Sequence, residues 1–390
     1  MHIAEVHDAL SQRQFHRVPS IVYASDANWI PHLKQDVDKV FDPEKNRLFK
    51  KGATAKRWVV LDMEGVPLGR IAAFVNPKYS SGMDQPTGGI GFFDATQDDR
   101  VAEMLFDTAE NWLKDEGMEA VDGPINLGEK DKFWGLLVDN FTDLSSYGMN
   151  YNPAYYKEWF DARGYKVYYE QYVFGRSAQE PVQEVVVRKL AQMPDREDYE
   201  LYTAREMTME QLAEDFCTVY NNAWGGHHGF KKMPLRQAQN TVKSLKPVMD
   251  PDIIFFIRHK PSGRPVGFFV NIPELNLIFK HVHGNLNAWN KLVFLWHKLK
   301  KTSNELVGLV FGIDREFHGK GIDSLLISGA SDRLREKKRY VNTTLTWIGD
   351  FNPKMIRIAE TLGTTRKRTL FTMRKLFDPA AEFKRVPFAK

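Results

Sequence analysis

The sequence has one cysteine, Cys217, in 390 residues. A single thiol excludes an intramolecular disulfide framework and a cysteine-based zinc site. Long apolar runs are also missing. The longest clean one is near Leu306–Ile313, far short of the roughly 18–20 residues that a membrane span requires. The opening MHIAEVHDAL lacks a basic segment followed by an apolar one, so no secretory signal is expected and the cytoplasm is the default address. Neither sign of charge dominates: 54 basic against 50 acidic residues leave net +4, without the electrostatic footprint of a dedicated nucleic-acid binder. What is plentiful is aromatic side chains, 13% of the chain, which supply large cores and also line pockets for apolar ligands. At roughly 100–200 residues per domain, the length predicts two domains or three.

The chain repeats itself. Trp58-Val59-Val60-Leu61, then Gly65-Val66-Pro67-Leu68-Gly69, then Ala73-Phe74-Val75-Asn76 is matched by Phe255-Phe256-Ile257, Gly263-Arg264-Pro265-Val266-Gly267 and Phe268-Phe269-Val270-Asn271. Each is a strand, a tight turn and a second strand. Gly65 and Gly263 lie 198 residues apart, and Asn152-Pro153 and Asn352-Pro353 lie 200 apart. Each Asn-Pro opens a helical stretch closed by glycine, Gly164 or Gly363. Two landmarks in order at nearly one offset indicate duplication. Each half reads as a short strand, one or two helices, a hairpin, a strand, a helix, a strand, a helix and a last strand. The fold class is therefore α/β, a mixed sheet with helices on both faces. The predicted domains are 1–177 and 199–390, with a linker over 178–198 and an extra helical stretch around Asn287–Lys301 in the second.

The sharpest chemical signal is Ile313-Asp314-Arg315-Glu316-Phe317-His318-Gly319-Lys320-Gly321-Ile322. An apolar strand ends, a charged turn follows, and a Gly-x-Gly pair opens a helix. Glycines let backbone amides approach an anion, and the helix N-terminus adds partial positive charge, so the segment can cradle a pyrophosphate. It can also be a plain strand-to-helix turn. The lysine-then-hydroxyl ending of a Walker loop is absent, as is the three-glycine dinucleotide fingerprint.

Arg315-Glu316-Phe317-His318-Gly319-Lys320-Gly321-Ile322 resembles motif A of the GNAT acyltransferases, and Asp350-Phe351-Asn352-Pro353 through Gly363 resembles their later Asn-to-Gly segment. The whole chain is similar to tandem-GNAT bacterial proteins, through Asp26-Ala27-Asn28-Trp29-Ile30-Pro31, Gly123-Pro124-Ile125-Asn126, Asn152-Pro153-Ala154-Tyr155-Tyr156 and Asn221-Asn222-Ala223-Trp224. The resemblance implies two GNAT-like domains. Acetyl-CoA or a longer acyl-CoA would be bound in the second through Ile313, His318, Gly319, Lys320, Gly321, Ile322 and Asn352. A small-molecule or peptidyl amine acceptor would lie between the halves, with Tyr155, Tyr156 and Trp224 in its groove. The implied activity is N-acyl transfer, of the N-acetyltransferase type. Transfer of a long acyl chain, or of an aminoacyl group from tRNA, is the rival enzyme reading; a non-catalytic CoA- or ligand-binding protein is the third. Two departures from the pattern matter. His318 stands where the family has arginine, and Ala359 stands where many members have an acid tyrosine. In the first half, Phe92-Phe93-Asp94-Ala95-Thr96-Gln97-Asp98-Asp99-Arg100 is acidic where a pyrophosphate would sit, so that half is expected not to bind CoA there.

Candidate catalytic groups are His227 and His228 on the glycine-rich loop that would border the acceptor, and Glu316 in the motif; imidazole with a pKa near 6.5 suits base work. His281 and His283 alternate on an expected strand and read as core or edge residues, and no metal site is expected. Trp289, Phe294, Leu295 and Trp296 on the inserted helix read as core packing, with the floor of an acyl channel as the other use. The run Arg366-Lys367-Arg368 with Arg374-Lys375 and Lys384-Arg385 reads as a solvated charge run, or else as a contact for the 3′-phosphate of CoA or an acidic acceptor. Gly123–Leu137 lines the groove between the halves or is a structural loop.

Overall fold

A computed structural model describes residues 1–225 and 231–388. In the first half, apolar runs bounded by turns give β1 (His2–Glu5), β2 (Thr54–Leu61), β3 (Pro67–Val75) and β4 (Thr87–Ala95), an antiparallel meander. Next to β4 runs β5 (Ala120–Gly123), parallel to it over Thr87–Gly89 only. A long last strand, β6, covers Lys166–Ser177. The second half repeats this order with β7 (Tyr199–Thr203), β8 (Ile254–His259), β9 (Arg264–Pro273), β10 (Glu305–Ile313), β11 (Asn342–Leu345) and β12 (Thr365–Leu376). β10 and β11 are parallel over Glu305–Gly308 and Asn342–Leu345, then part. Apart from the two-residue strands Leu136–Leu137 and Ile348–Gly349, the described residues of each half give six strands in matching order, as expected from the sequence of each half.

Both halves contribute to one sheet in the order β1-β2-β3-β4-β5-β12-β6-β11-β10-β9-β8-β7. The last strands are exchanged. β12 of the second half pairs with β5 of the first, and β6 of the first pairs with β11 of the second. In the middle β6 and β12 pair antiparallel from Gly175↔Thr365 to Lys166↔Arg374.

Helices cover both faces. In the first half α1 (Ala9–Val22) and α2 (Lys34–Phe41) pack on one side through Phe15, Val18, Val37 and Val40; α3 (Asp99–Asp115) and α4 (Tyr156–Ala162) pack on the other through Val101, Leu105, Phe106 and Phe160. The apolar spacing 101, 102, 105, 106, 109, 113 in α3 is a helical stripe, and every one of those side chains is buried. A connecting helix α5 (Glu184–Ala191) leads to α6 (Met209–Trp224) and α7 (Leu235–Leu245) on one face of the second half. The inserted α8 (Ala288–Leu299) follows, with α9 (Ile322–Lys337) and α10 (Pro353–Thr361) after it. Asn352 caps α10 by accepting from the Met355 amide at 3.2 Å.

Three sequence expectations change. His281 and His283 are not on a strand: β9 ends at Pro273, which has no N–H for the ladder, and a short helix and turn follow. On α8 only Phe294 is core, stacked on Phe279 at 5.6 Å, while Trp289, Leu295 and Trp296 face solvent. The basic run is not all solvated. β12 lies mid-sheet, so alternate residues Arg368 and Arg374 are buried at 4% exposure. Arg374 forks onto Asp122 at 2.6 and 2.8 Å, and Arg368 donates to Ser145 Oγ at 2.6 Å and to the carbonyls of Asn140 and Asp143. Gly123–Leu137 is in large part buried structure: Trp134 Nε1 meets Tyr169 OH at 2.8 Å on β6 and Thr372 Oγ1 at 2.9 Å on β12.

Candidate functional site

The turn after β10 is held by Asp314. Its buried carboxylate accepts from Asn222 Nδ2 at 2.7 Å, Arg264 Nη2 at 3.0 Å and the Glu316 amide at 3.0 Å. Phe317 turns into the core, and the chain then passes through Gly319 at φ +77° and Gly321 at φ +83°. Only glycine takes that conformation without strain. Gly319 faces open space, whereas a Cβ on Gly321 would lie 3.2 Å from Met193. No side chain caps α9, so the amides of its first turn remain available to an anion, partly offset by Asp323. Lys320 is exposed with Nζ 4.6 Å from the Phe317 ring centre, and His318 Nε2 lies 3.0 Å from the Ile313 carbonyl oxygen.

The first half fills the matching place. Asp98 caps α3 by accepting from the Arg100 amide at 3.0 Å, and the Arg100 side chain forks onto the same carboxylate. An anion at that helix end would meet a carboxylate.

Where β10 and β11 part, a cavity of about 330 Å³ opens between α9 and α10. Its walls are mostly apolar, including Phe269, Phe311, Leu334, Trp347, Met355 and Ala359. Ile313, at the end of β10, and Ile322, in the first turn of α9, are buried in the core beside it. Asn352 is also in the wall, although its side chain is engaged in capping. Glu316 does not line this cavity; its carboxylate pairs with Arg264 at 2.9 Å on the surface.

A larger cavity, about 920 Å³, lies in the first half on the α1 side of β4. Sequence reasoning did not assign it. Tyr23 OH donates to Asp94 Oδ1 at 2.7 Å, and Arg70 Nε donates to Asp94 Oδ2 at 2.7 Å. Burial and the Asp94 charge push the Tyr23 hydroxyl far up, and burial, with the charges of Arg70 and Lys132, lowers His32 to about 4. The signal was present in Asp94 and in the Asp26–Pro31 segment, which both line the cavity, but their partners Tyr23 and Arg70 are distant in sequence. Lys280, His283 and Gly284 of the second half form part of its wall.

The structure divides the expected acceptor residues. Tyr156 is buried, lines the first-half cavity and receives a hydrogen bond from the Ala95 amide at 2.7 Å, while Tyr155 OH donates to the Ala95 carbonyl at 3.2 Å. Trp224 instead packs on Gly312 and stacks near Phe268 in the second half. His227 and His228 lie outside the described residues.

A tandem GNAT protein from the clavulanic acid biosynthesis pathway superimposes with a TM-score of 0.53 at 11% identity, over 97% of this chain and 99% of that one. The chain has the tandem GNAT fold. A GCN5-related glucosamine N-acetyltransferase region of a fungal multi-domain β-N-acetylglucosaminidase gives a TM-score of 0.53 at 13% identity, covering 96% of this chain but 38% of the fungal chain. In sequence, the "Bacterial ceramide synthase" of Caulobacter vibrioides is 24% identical over 370 residues, 92% of each chain. No protein-family model matches. Within the tandem GNAT fold, the second half has the uncapped Gly-x-Gly turn and the apolar opening, and the first half has neither. Among the described residues no cluster of metal ligands occurs, and no helix is long and apolar enough to cross a membrane.

Proposed function

We propose that the protein is an N-acyltransferase whose second half holds a long-chain acyl-CoA and whose acceptor is a long-chain amine. The observation that carries this reading is the combination, in one half only, of the uncapped α9 N-terminus behind Gly319 and Gly321 with the apolar cavity between β10 and β11. The first suits a pyrophosphate, the second an extended chain with few charges. Beyond the Gly308–Leu345 pair the ladder between these strands ends, which supports a pantetheine arm bonding its amides to backbone groups of β10. The relative's name supports the acceptor class, since a ceramide is the amide of a fatty acid and a long-chain amino alcohol.

In such a transfer the amine nitrogen attacks the thioester carbon, negative charge collects on the carbonyl oxygen, and the C–S bond breaks as the nitrogen loses its proton. Ala359 has no proton to give the departing sulfur, so water or the proton released by the amine must serve. Backbone N–H groups stabilise the oxyanion. His227 and His228 are proposed as bases, because an imidazole with a pKa near 6.5 can take the proton of an amine near neutral pH. Glu316, tied to Arg264, is assigned to holding the turn.

The two cavities share no lining residue. We therefore place the reaction wholly in the second half, and the first-half cavity serves as a separate binding chamber. A second reading, binding without transfer, is favoured by one observation: among the described residues, no carboxylate other than the exposed Glu180 lines the apolar cavity. Purified protein mixed with palmitoyl-CoA and a long-chain amino alcohol tests both. Thiol release with formation of the amide, seen by mass spectrometry and faster than with acetyl-CoA, is expected. Faster turnover of acetyl-CoA would overturn the chain length, and CoA binding without thiol release from any donor would leave the binding-only reading.

A further inference from the structure

The helix α8, which the first half has no counterpart for, turns its apolar face outward. Trp289 is 71% exposed, Leu292 58%, Trp296 51% and Leu299 82%. At positions i, i+3, i+7 and i+10 these side chains form one stripe, with Leu295 beside it. Trp289 and Trp296 are the only exposed tryptophans among the described residues. The opposite face anchors the helix: Phe294 stacks on Phe279, and Asn290 Nδ2 donates to the carbonyls of Val282 and Asn285. The stripe is thus rigidly displayed, not frayed out of a core.

Along the sequence, the charge on and beside the helix has one sign. Between Glu274 and Glu305 there is no carboxylate side chain, while Lys280, Lys291, Lys298, Lys300 and Lys301 all fall in that stretch. In a chain of nearly balanced charge this is a local excess, and Lys300 folds its ammonium over the Trp296 ring at 3.7 Å. Lys298 is engaged, donating to the Pro247 carbonyl with Asp250 nearby. Tryptophan and leucine projecting beside the other lysines match the boundary of an anionic bilayer, where indole rings sit at headgroup level and lysines meet phosphates. Twelve residues make about 18 Å of helix, too little to cross a bilayer but enough to lie in its surface.

We propose that α8 docks the protein on anionic membrane surfaces. The turn that leads into this helix supplies Lys280, His283 and Gly284 to the wall of the first-half cavity, so docking brings that wall toward the lipid. The docking does not depend on which reaction the second half performs.

Vesicle co-sedimentation tests it, with phosphatidylcholine alone against phosphatidylcholine containing about one third phosphatidylglycerol. Wild-type protein should sediment with the anionic vesicles, and its tryptophan fluorescence should be quenched by brominated lipid. A variant with Trp289→Gln, Leu292→Gln, Trp296→Gln and Leu299→Gln should lose at least about ten-fold in vesicle affinity with an unchanged melting temperature, because the replaced groups face solvent. Removing Lys291, Lys300 or Lys301 should cost about five-fold each. No sedimentation of wild type, or sedimentation undiminished in the four-site variant, overturns the proposal. So does a concentration-dependent dimer, abolished by the variant, without vesicle binding, which would make a second copy the occupant. Should the variant not fold, quenching of the wild type by brominated lipid still decides.

Discussion

At the scale of single residues, the most exacting positions are buried charges at the seam between the halves. Asp122 is fully buried on β5 and Arg374 nearly so on β12. Tyr79 OH adds a hydrogen bond to the same carboxylate at 2.5 Å. Removing one member of such a pair leaves a charge stranded away from water, at a cost of about 3–5 kcal/mol. Arg374→Met should therefore lower unfolding free energy by that order, measured by urea denaturation. Glu274 is the second case. Burial raises its carboxyl from an ordinary value near 4.5 to about 7, while Oε1 accepts from the amides of Tyr147 at 3.0 Å and Asn276 at 2.9 Å. The folded protein holds that proton more tightly than the unfolded chain, so its contribution is complete below about pH 4.5, falls as pH rises, and is gone above about pH 7. Up to about 3 kcal/mol is at stake. Glu274→Gln should flatten this part of the stability–pH curve and melt higher than wild type at pH 8.

Neither group stood out in the sequence. Arg374 sits in a run of basic residues that looks solvated, because nothing in a linear pattern says that its strand will be central. Glu274 looks like any surface acid beside a proline. By contrast the turn at Gly319 and Gly321 was legible as a passage from strand to helix, and both glycines take the left-handed conformation there.

Among elements, the decisive contrast is between two equivalent strand–turn–helix units. β10 leads through two left-handed glycines into α9, whose first turn has no side-chain cap, whereas β4 leads into α3, capped by Asp98. The sequence already carried that difference as glycine against aspartate. It did not carry the fate of the first half's opening. There the chain after β5 folds back on β4, with the Ile125 amide donating to the Ile90 carbonyl at 2.7 Å. An ideal Cβ on Gly91 would sit 1.9 Å from the Ile125 carbonyl oxygen. Gly91→Ala must push the two segments apart, and should destabilise by about 1–3 kcal/mol or more, read as a drop in melting temperature, without reducing CoA binding by the second half. The inserted α8 was legible as a helical stretch around Asn287–Lys301, but its aromatic spacing gave no sign of which way it would face.

For the whole molecule, duplication was readable from recurring hairpins and Asn-Pro helix starts, and strand exchange was not. A strand that ends each half looks the same whichever half receives it. The exchange has a physical consequence. Each half's fifth strand is paired by the other half's last strand, so either half alone would leave its fifth and last strands without these partners. A first-half fragment ending at Glu180 should expose β5 and β6 as open edges and aggregate, and the intact chain should unfold in one transition. A monomeric fragment with its own cooperative transition would count against the interdependence.

The account rests above all on a single acyl-CoA site, in the second half. Isothermal titration of CoA into the wild type, into Gly319→Val/Gly321→Val and into Asp98→Gly tests it most directly. One site per chain is predicted, weakened at least about ten-fold when side chains occupy the glycine turn and unchanged when the first-half cap is removed. No binding by wild type, two sites per chain, or affinity indifferent to the two valines in a folded protein would contradict it.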